Sequence, residues 1–417
     1  MHADHHQVCG ITSTDVDRAT FDAVMVPVYA PSSVIPVSAY GLDVWDHEGR
    51  HYLDFTAGIA VTNLGHAHPQ LVATLRRQAA QLWHLGNGYT NQPVLKLARA
   101  LTDATFADRA FFCNSGAEAN EAAFKLARKY AHEKFGPHRS RIVACTNAFH
   151  GRTLFTVSVG GQPKYTDGFE PLPTQIVHID FNDIAAARAA IDTKVCAVVV
   201  EPVQGEGGVI PATKGYLQTL RALCDQVGAL LIFDEVQCGM GRTGTLFAYM
   251  QYGVVPDILT SAKALGNGFP IGAMLTTEAI AAMFSVGSHG STFGGNPLAA
   301  AVALNVLEII NAKNFLRRVD AAATRLRSAL QAIATAYPLM FAEVRGSGLM
   351  LGMVLTSAWR GRAKDISRAA EAHGLMLLIA GIDVLRFVPA LIVSDAQIDR
   401  AAYLLQLTVN DLLAVEA

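Results

Sequence analysis

Between residues 109 and 276 the chain repeatedly sets a short apolar run beside a helical stretch, and this alternation restricts the fold more than any other feature. The runs are RAFFC, RIVAC, CAVVV, ALLIF, DILTS and IGAMLTT; among them lie EANEAAFKLARKYAHEKF, DIAAARAAI and GYLQTLRALCDQVG, with helical spacing. A strand that is apolar on both faces must be covered on both, and intervening helices supply the cover. The expected fold class is therefore α/β, a mostly parallel sheet between helices.

Flanking stretches read differently. Residues 1–20 are polar and expected to be loose. GLDVWDHEGRHYLDFTAGIAV alternates apolar and polar residues around a DHEGR turn, as a hairpin does. HPQLVATLRRQAAQLW and QPVLKLARALTDAT carry the three- and four-residue spacing of amphipathic helices. From about residue 300 a long helix, or a broken pair, leads to a smaller α+β unit ending in a helix. The expected division is a tail (1–20), an N-terminal segment packing with the small domain (21–62), a large domain (63–300) and a small C-terminal domain (301–417).

Composition removes several function classes. The 417 residues are too many for one ordinary core, and 51% are apolar against 16% charged, so the chain is globular. There are 33 basic and 35 acidic side chains and no basic run, which argues against nucleic acid or a membrane surface as partner. Six cysteines (Cys9, Cys113, Cys145, Cys196, Cys224, Cys238) form no CxxC pair, as suits a reducing compartment without structural zinc. No apolar run approaches the roughly 18 residues of a membrane span, and the first residues lack a signal-like apolar stretch, so a cytoplasmic location is expected. HADHH and GHAHP are weak as metal sites because no regular element spaces their histidines, and no metal is expected.

Open α/β sheets bind ligands at the carboxyl ends of their strands, so residues just after each apolar run merit inspection. Ser115, Gly116 and Ala117 follow RAFFC and open a helix; they read either as a phosphate site or as an ordinary Ser N-cap with Glu118 at the third position. Phe149 and Arg152 follow RIVAC, and arginine is the preferred fork for a carboxylate. Glu201 and Glu206 follow CAVVV, Asp234 ends ALLIF, and Lys263 follows DILTS amid small and apolar residues. The string formed by Gly239, Gly241 and Gly244 is a poor dinucleotide fingerprint, because DEVQC separates it from the strand and no acidic residue stands at the expected distance.

A phosphate cradle, an aromatic, a strand-end carboxylate and an apolar-set lysine suit one cofactor, pyridoxal 5'-phosphate. The lysine would hold it as a Schiff base, which removes the unpaired ammonium, and the acid would pair with the ring nitrogen. The chain resembles the class III aminotransferases of the fold-type I pyridoxal-phosphate enzymes, and within them the acetylornithine/succinylornithine branch. The likeness rests on MVPVYAP, FCNSGAEANEAAFKLAR, NAFHGRT, EPVQGEGGV, FDEVQCGMGRTG, AKALGNGFPIGAM, GSTFGGNPLA and RFVPAL.

That resemblance implies a fold-type I architecture and a set of roles. Lys263 carries the cofactor, Asp234 pairs with the pyridine nitrogen and Gln237 lies by the phenolic oxygen. Val236 and Phe149 pack on opposite ring faces. Ser115, Gly116 and Ala117 bind phosphate, joined across a homodimer by Thr292, with Ser291 near the substrate. Arg152 takes the substrate α-carboxylate, and Arg386 takes the carboxylate of 2-oxoglutarate. Glu206 shields Arg386 during the amine half-reaction; without the family pattern these two would read as a surface pair. The implied reaction moves the δ-amine of N2-acetylornithine or N2-succinylornithine to 2-oxoglutarate, yielding glutamate. The alternatives are an ornithine or other ω-amino-acid aminotransferase and, more remotely, a cofactor-free binding protein of the same fold. Cys238 stands where the family usually has Thr, and Asn267 where it usually has Gly; Asn tolerates left-handed backbone angles, so the turn should survive.

Overall fold

The computed structural model describes residues 16–416. Its centre is a seven-stranded sheet in the order Arg109–Cys113, Gly272–Thr276, Ile258–Ser261, Leu230–Asp234, Val195–Val200, Arg141–Cys145, Ile176–Ile179. Six strands run the same way. Gly272–Thr276 is antiparallel to both neighbours, Ile258–Ser261 and Arg109–Cys113. Every residue of Val195–Val200 and Leu230–Asp234 is buried, the double coverage that their uninterrupted apolar runs demand. The edge strand Ile176–Ile179 was not among the expected runs. Its IVHI carries a histidine, and only one of its four residues is buried, so no continuous apolar signal marks it.

Helix Gly116–Phe135 packs on this sheet. Ser115 caps it, and alanines and straight-chain residues fill its interior. It ends at Gly136, whose φ of +95° stops the helical path. Because all strands but one are parallel, their carboxyl ends gather on one side and carry residues 114–117, 147–152, 201, 234 and 263 to a common edge.

The long apolar stretch near residue 300 is a broken pair, Pro297–Ile310 and Lys313–Ala336, bent by 71°. The boundary expected at 300/301 falls inside the first of these helices. That helix packs on Pro69–Ala79 and Gln92–Ala104, so the chain leaves the large unit only at the bend. Beyond it, Phe341–Ser347, Met350–Leu355, Val384–Phe387 and Leu378–Ala380 form a second sheet. The expected hairpin is Asp43–Asp46 with His51–Asp54; it extends to Pro36–Tyr40 and pairs in parallel with Leu375–Met376 of the C-terminal part.

The tail expected to be loose through residue 20 is helical from Arg18, where Asp17 caps Arg18–Val24. HADHH and Cys9 lie outside the described residues. Within them, His66 of GHAHP bonds the Asp54 carboxylate at 2.8 Å, and no cluster of three or more His, Cys, Asp or Glu could hold a metal ion. No single described helix is long and apolar enough to cross a membrane.

Candidate active site

The strand ends enclose a cavity of about 370 Å³ lined by Ser115, Gly116, Ala117, Phe149, Arg152, Asp234, Val236, Gln237 and Lys263, among others. With Glu201, which also lines it, ten of the residues singled out from sequence therefore meet in one place. An adjoining cavity of about 670 Å³ shares Phe149, Arg152 and Lys263 and adds Glu206.

Asp234 ends its strand 3% exposed and takes hydrogen bonds from three donors. The Asn120 amide reaches Oδ2 at 2.8 Å, His150 Nδ1 reaches the same oxygen at 2.8 Å, and the Val236 N–H reaches Oδ1 at 3.0 Å. Burial alone would raise the carboxyl pKa, but the bond and charge of His150 outweigh it and hold Asp234 below its ordinary value. In reverse, burial disfavours the imidazolium, yet Asp234 raises His150. A buried negative charge is thus maintained at the cavity floor.

Lys263 follows its strand in a short turn with φ +41°, a left-handed angle that costs a non-glycine residue on the order of 1 kcal/mol. Its amine has no hydrogen-bond or ion-pair partner among the described residues. Desolvation pushes it below the ordinary lysine value, with partial compensation from Asp234. The lowered proton affinity favours the nucleophilic, uncharged form of the amine relative to a solvated lysine.

The N–H groups of Gly116 and Ala117 open the helix and have no intrahelical acceptor. Ser115 serves as the N-cap, its hydroxyl accepting from the Glu118 N–H at 3.2 Å and donating to the Glu118 carboxylate at 2.9 Å. The loop carrying Phe149 and Arg152 lies directly on this helix start. A Cβ on Gly151 would fall 2.6 Å from the Ala117 Cβ, at a φ of +134° that side chains rarely adopt, so only glycine permits the approach.

Arg386, on Val384–Phe387, is 2% exposed. Its Nη1 lies 2.6 Å from Glu206 Oε1 and 3.2 Å from Gln237 Oε1, while its Nε has no partner. Glu206 and Arg386 are therefore a largely buried pair, of which Glu206 lines the adjoining cavity and Arg386 lies behind it. Three residues of the expected set do not themselves line these cavities within the single chain: Arg386, which meets them through Glu206 and Gln237, and Ser291 and Thr292. Ser291 accepts from the Asn114 amide at 3.2 Å and lines a separate cavity with residues 84–91; Thr292 is exposed.

Residues 26–409 match the protein family Aminotransferase class-III. The acetylornithine aminotransferase of Pseudomonas putida is 59% identical over 389 residues, 93% of this chain and 96% of that protein.

The chain belongs to the class-III aminotransferases.

The succinylornithine transaminase/acetylornithine aminotransferase of Pseudomonas aeruginosa is also 59% identical, over 92% of this chain and 94% of its own length. Among solved structures, the N-acetylornithine aminotransferase of Stenotrophomonas maltophilia matches with a TM-score of 0.82 and 43% identity, covering 93% of this chain and 98% of that one. The ornithine aminotransferase of Toxoplasma gondii matches with 0.90 and 33%, covering 95% and 94%.

In this aminotransferase several site residues escaped sequence reasoning. His150 stands between Phe149 and Arg152, and its contact with Asp234 spans 84 positions. Asn120 lies one helical turn beyond Gly116; a buried polar residue in an alanine-rich helix was the signal available. Glu201 was noticed as a strand-end acid without a role. It is 6% exposed, accepts from the Phe149 N–H at 3.1 Å, and burial pushes its carboxyl up to about 7. The departure at Cys238 places a buried thiol 3.8 Å from the Asp234 carbonyl. Asn267 does adopt a left-handed φ of +47°, and its amide also accepts from the Leu64 N–H at 2.6 Å and donates to the Gly65 carbonyl at 3.1 Å.

Proposed function

We propose that this aminotransferase moves the δ-amino group of N2-acetylornithine or N2-succinylornithine to 2-oxoglutarate. The products are the N-acyl-glutamate 5-semialdehyde and glutamate, the cofactor is pyridoxal 5'-phosphate, and the setting is arginine metabolism in the cytoplasm. The observation that carries the reading is the partnerless Lys263 amine sharing a cavity with the buried, charge-holding Asp234.

The residues present fit the cofactor. Free N–H groups at the start of a 20-residue helix suit a phosphate dianion. A Cβ on Gly116 would come 2.8 Å from a Val236 methyl, so the bare Cα keeps the cradle open beside the valine. Val236 and Phe149 are proposed to flank a flat ring, with Gln237 by its phenolic oxygen. Thr292 would complete the phosphate site across a homodimer, with Ser291 near the substrate. When bound, the cofactor supplies an electron sink beside the carbon that loses its proton.

The protein's own groups do the remainder. Asp234 would hold a proton on the ring nitrogen, and its three donors fix its orientation. Lys263 Nζ, its pKa lowered by desolvation, would take the proton from the amine-bearing carbon as general base and deliver it to the cofactor's aldehyde-derived carbon as general acid. Arg152 binds the α-carboxylate of the acylornithine. Arg386 binds the incoming 2-oxoglutarate, and Glu206 neutralises it in the other half-reaction, since a buried guanidinium left unpaired is costly.

Turnover with acetyl-, succinyl- and free ornithine tests the substrate, and fastest use of free ornithine overturns the choice. Borohydride treatment and digestion test the site: the label must lie on the peptide containing Lys263. The likeness to an ornithine aminotransferase at a TM-score of 0.90 favours free ornithine as the second reading. Against it, free ornithine would bring an ammonium beside Arg152, which has no carboxylate partner among the described residues to offset it.

A further inference from the structure

We propose that Tyr165 is the positioning residue for Arg152: its ring holds the guanidinium flat and leaves the N–H edges free for the substrate carboxylate. The inference rests on the reading of Arg152 as the carboxylate receptor and names the device that makes it one.

Arg152 makes no hydrogen bond or ion pair with any described residue. What holds it is aromatic. Its guanidinium carbon lies 3.7 Å from the centre of the Tyr165 ring, a stacking distance, and 5.4 Å from that of Phe149. The two rings meet edge to face, with centroids 6.2 Å apart and planes at 88°. Together they make a corner in which the cation is seated. Without it, a long and exposed side chain would sample many rotamers and lose that freedom each time a carboxylate bound. A carboxylate partner would also fix the guanidinium, but it would occupy the N–H groups the substrate needs. An aromatic face attracts the cation through its quadrupole and consumes none of them.

The corner is itself rigid. Tyr165 closes the short turn Pro163–Tyr165, its N–H bonded to the Gln162 carbonyl at 3.0 Å. Gln162 is buried, and its side-chain amide donates to the Ala148 carbonyl at 2.7 Å, one residue before Phe149. The platform bearing Tyr165 is thereby tied to the loop that carries Phe149 and Arg152. Tyr165 also lines the 670 Å³ cavity with Arg152, Glu206 and Lys263, so the oriented edge faces space a substrate can enter. The Tyr165 hydroxyl has no hydrogen-bond partner among the described residues, which assigns the role to the ring and not to the oxygen.

The test compares two amine donors on the holoenzyme: N2-acetylornithine, and N-acetyl-1,4-diaminobutane, the same molecule without its carboxylate. Tyr165→Leu should raise the KM for acetylornithine about 3- to 10-fold, as expected for loss of one cation–aromatic contact, with kcat little changed. It should leave kcat/KM for the decarboxylated donor unaltered. The ratio between donors is insensitive to any unfolded fraction, so a poorly folding variant still reports. Tyr165→Phe, which keeps the aromatic face, should restore the wild-type ratio. Added to Arg152→Gln, Tyr165→Leu should have no further effect. If Arg152→Gln leaves the donor ratio unchanged, the carboxylate reading fails and takes this inference with it. If Arg152→Gln collapses the ratio but Tyr165→Leu does not, or Tyr165→Leu harms both donors equally, only the role of Tyr165 is refuted.

Discussion

Replacing Glu206 with Gln should move the two half-reactions in opposite directions. The Arg386 side chain is 3% exposed, that of Glu206 is 25% exposed, and they meet at 2.6 Å. At an effective dielectric of about 20, opposite charges centred about 4 Å apart attract by roughly 4 kcal/mol. A glutamine oxygen keeps a neutral hydrogen bond, and Gln237 still offers its own oxygen at 3.2 Å. The net weakening is then about 2 kcal/mol, close to 30-fold. A 2-oxoglutarate carboxylate must displace Glu206 from Arg386, so the variant should bind this acceptor up to about 30-fold more tightly. Glutamate should likewise react faster in reverse. The acylornithine half-reaction should slow, because Arg386 then faces an uncharged part of the substrate without its counter-charge. Single-turnover absorbance changes of the cofactor measure each half separately. Equal changes in the same direction would refute the gating argument, since a purely structural defect cannot discriminate between substrates sharing one pocket.

Asp234→Asn places at least one amide N–H against the donors from Asn120, His150 and Val236, so melting should reveal a loss of about 2 kcal/mol and turnover should fall at least 100-fold. Glu201, raised by burial to about 7, adds stability that is fully present below its ordinary value near 4.5 and is lost as pH rises through 7. Urea unfolding of cofactor-free protein between pH 4.5 and 8 should thus have a component of about 3 kcal/mol that Glu201→Gln removes; unchanged pH dependence contradicts it. Asn267→Gly gives up two side-chain bonds to Leu64 and Gly65 while relieving a left-handed angle, and should lower stability by about 1 kcal/mol in thermal unfolding.

Much of the fold and site was legible because the signals were local. An uninterrupted run such as CAVVV can satisfy its side chains only in a doubly covered strand, and helices between such runs impose parallel order. The strand-end rule then selected Ser115, Asp234 and Lys263 before any contact was known. The strand Ile176–Ile179 was missed for the converse reason: it lies at the sheet edge, half in solvent, where sequence need not be apolar. The expected boundary at 300/301 lies inside the helix Pro297–Ile310, because an apolar helix reads the same whichever unit it packs on.

By itself the order of residues determined the buried central strands, which chemical groups stand at their ends, and that a lysine occupies apolar surroundings. These depend on periodicity and on backbone groups close in the chain. Only the tertiary structure decided which groups touch. That His150 and Asn120 keep Asp234 charged, that Glu206 closes on Arg386 from 180 positions away, and that Arg152 rests on Tyr165 follow from packing elements whose separation no spacing rule encodes. Burial, which raises Glu201 and lowers Lys263, and the packing of His150 against Asp234, which overrides burial there, are likewise properties of the assembled fold: each shift arises only when other segments exclude water or bring a partner.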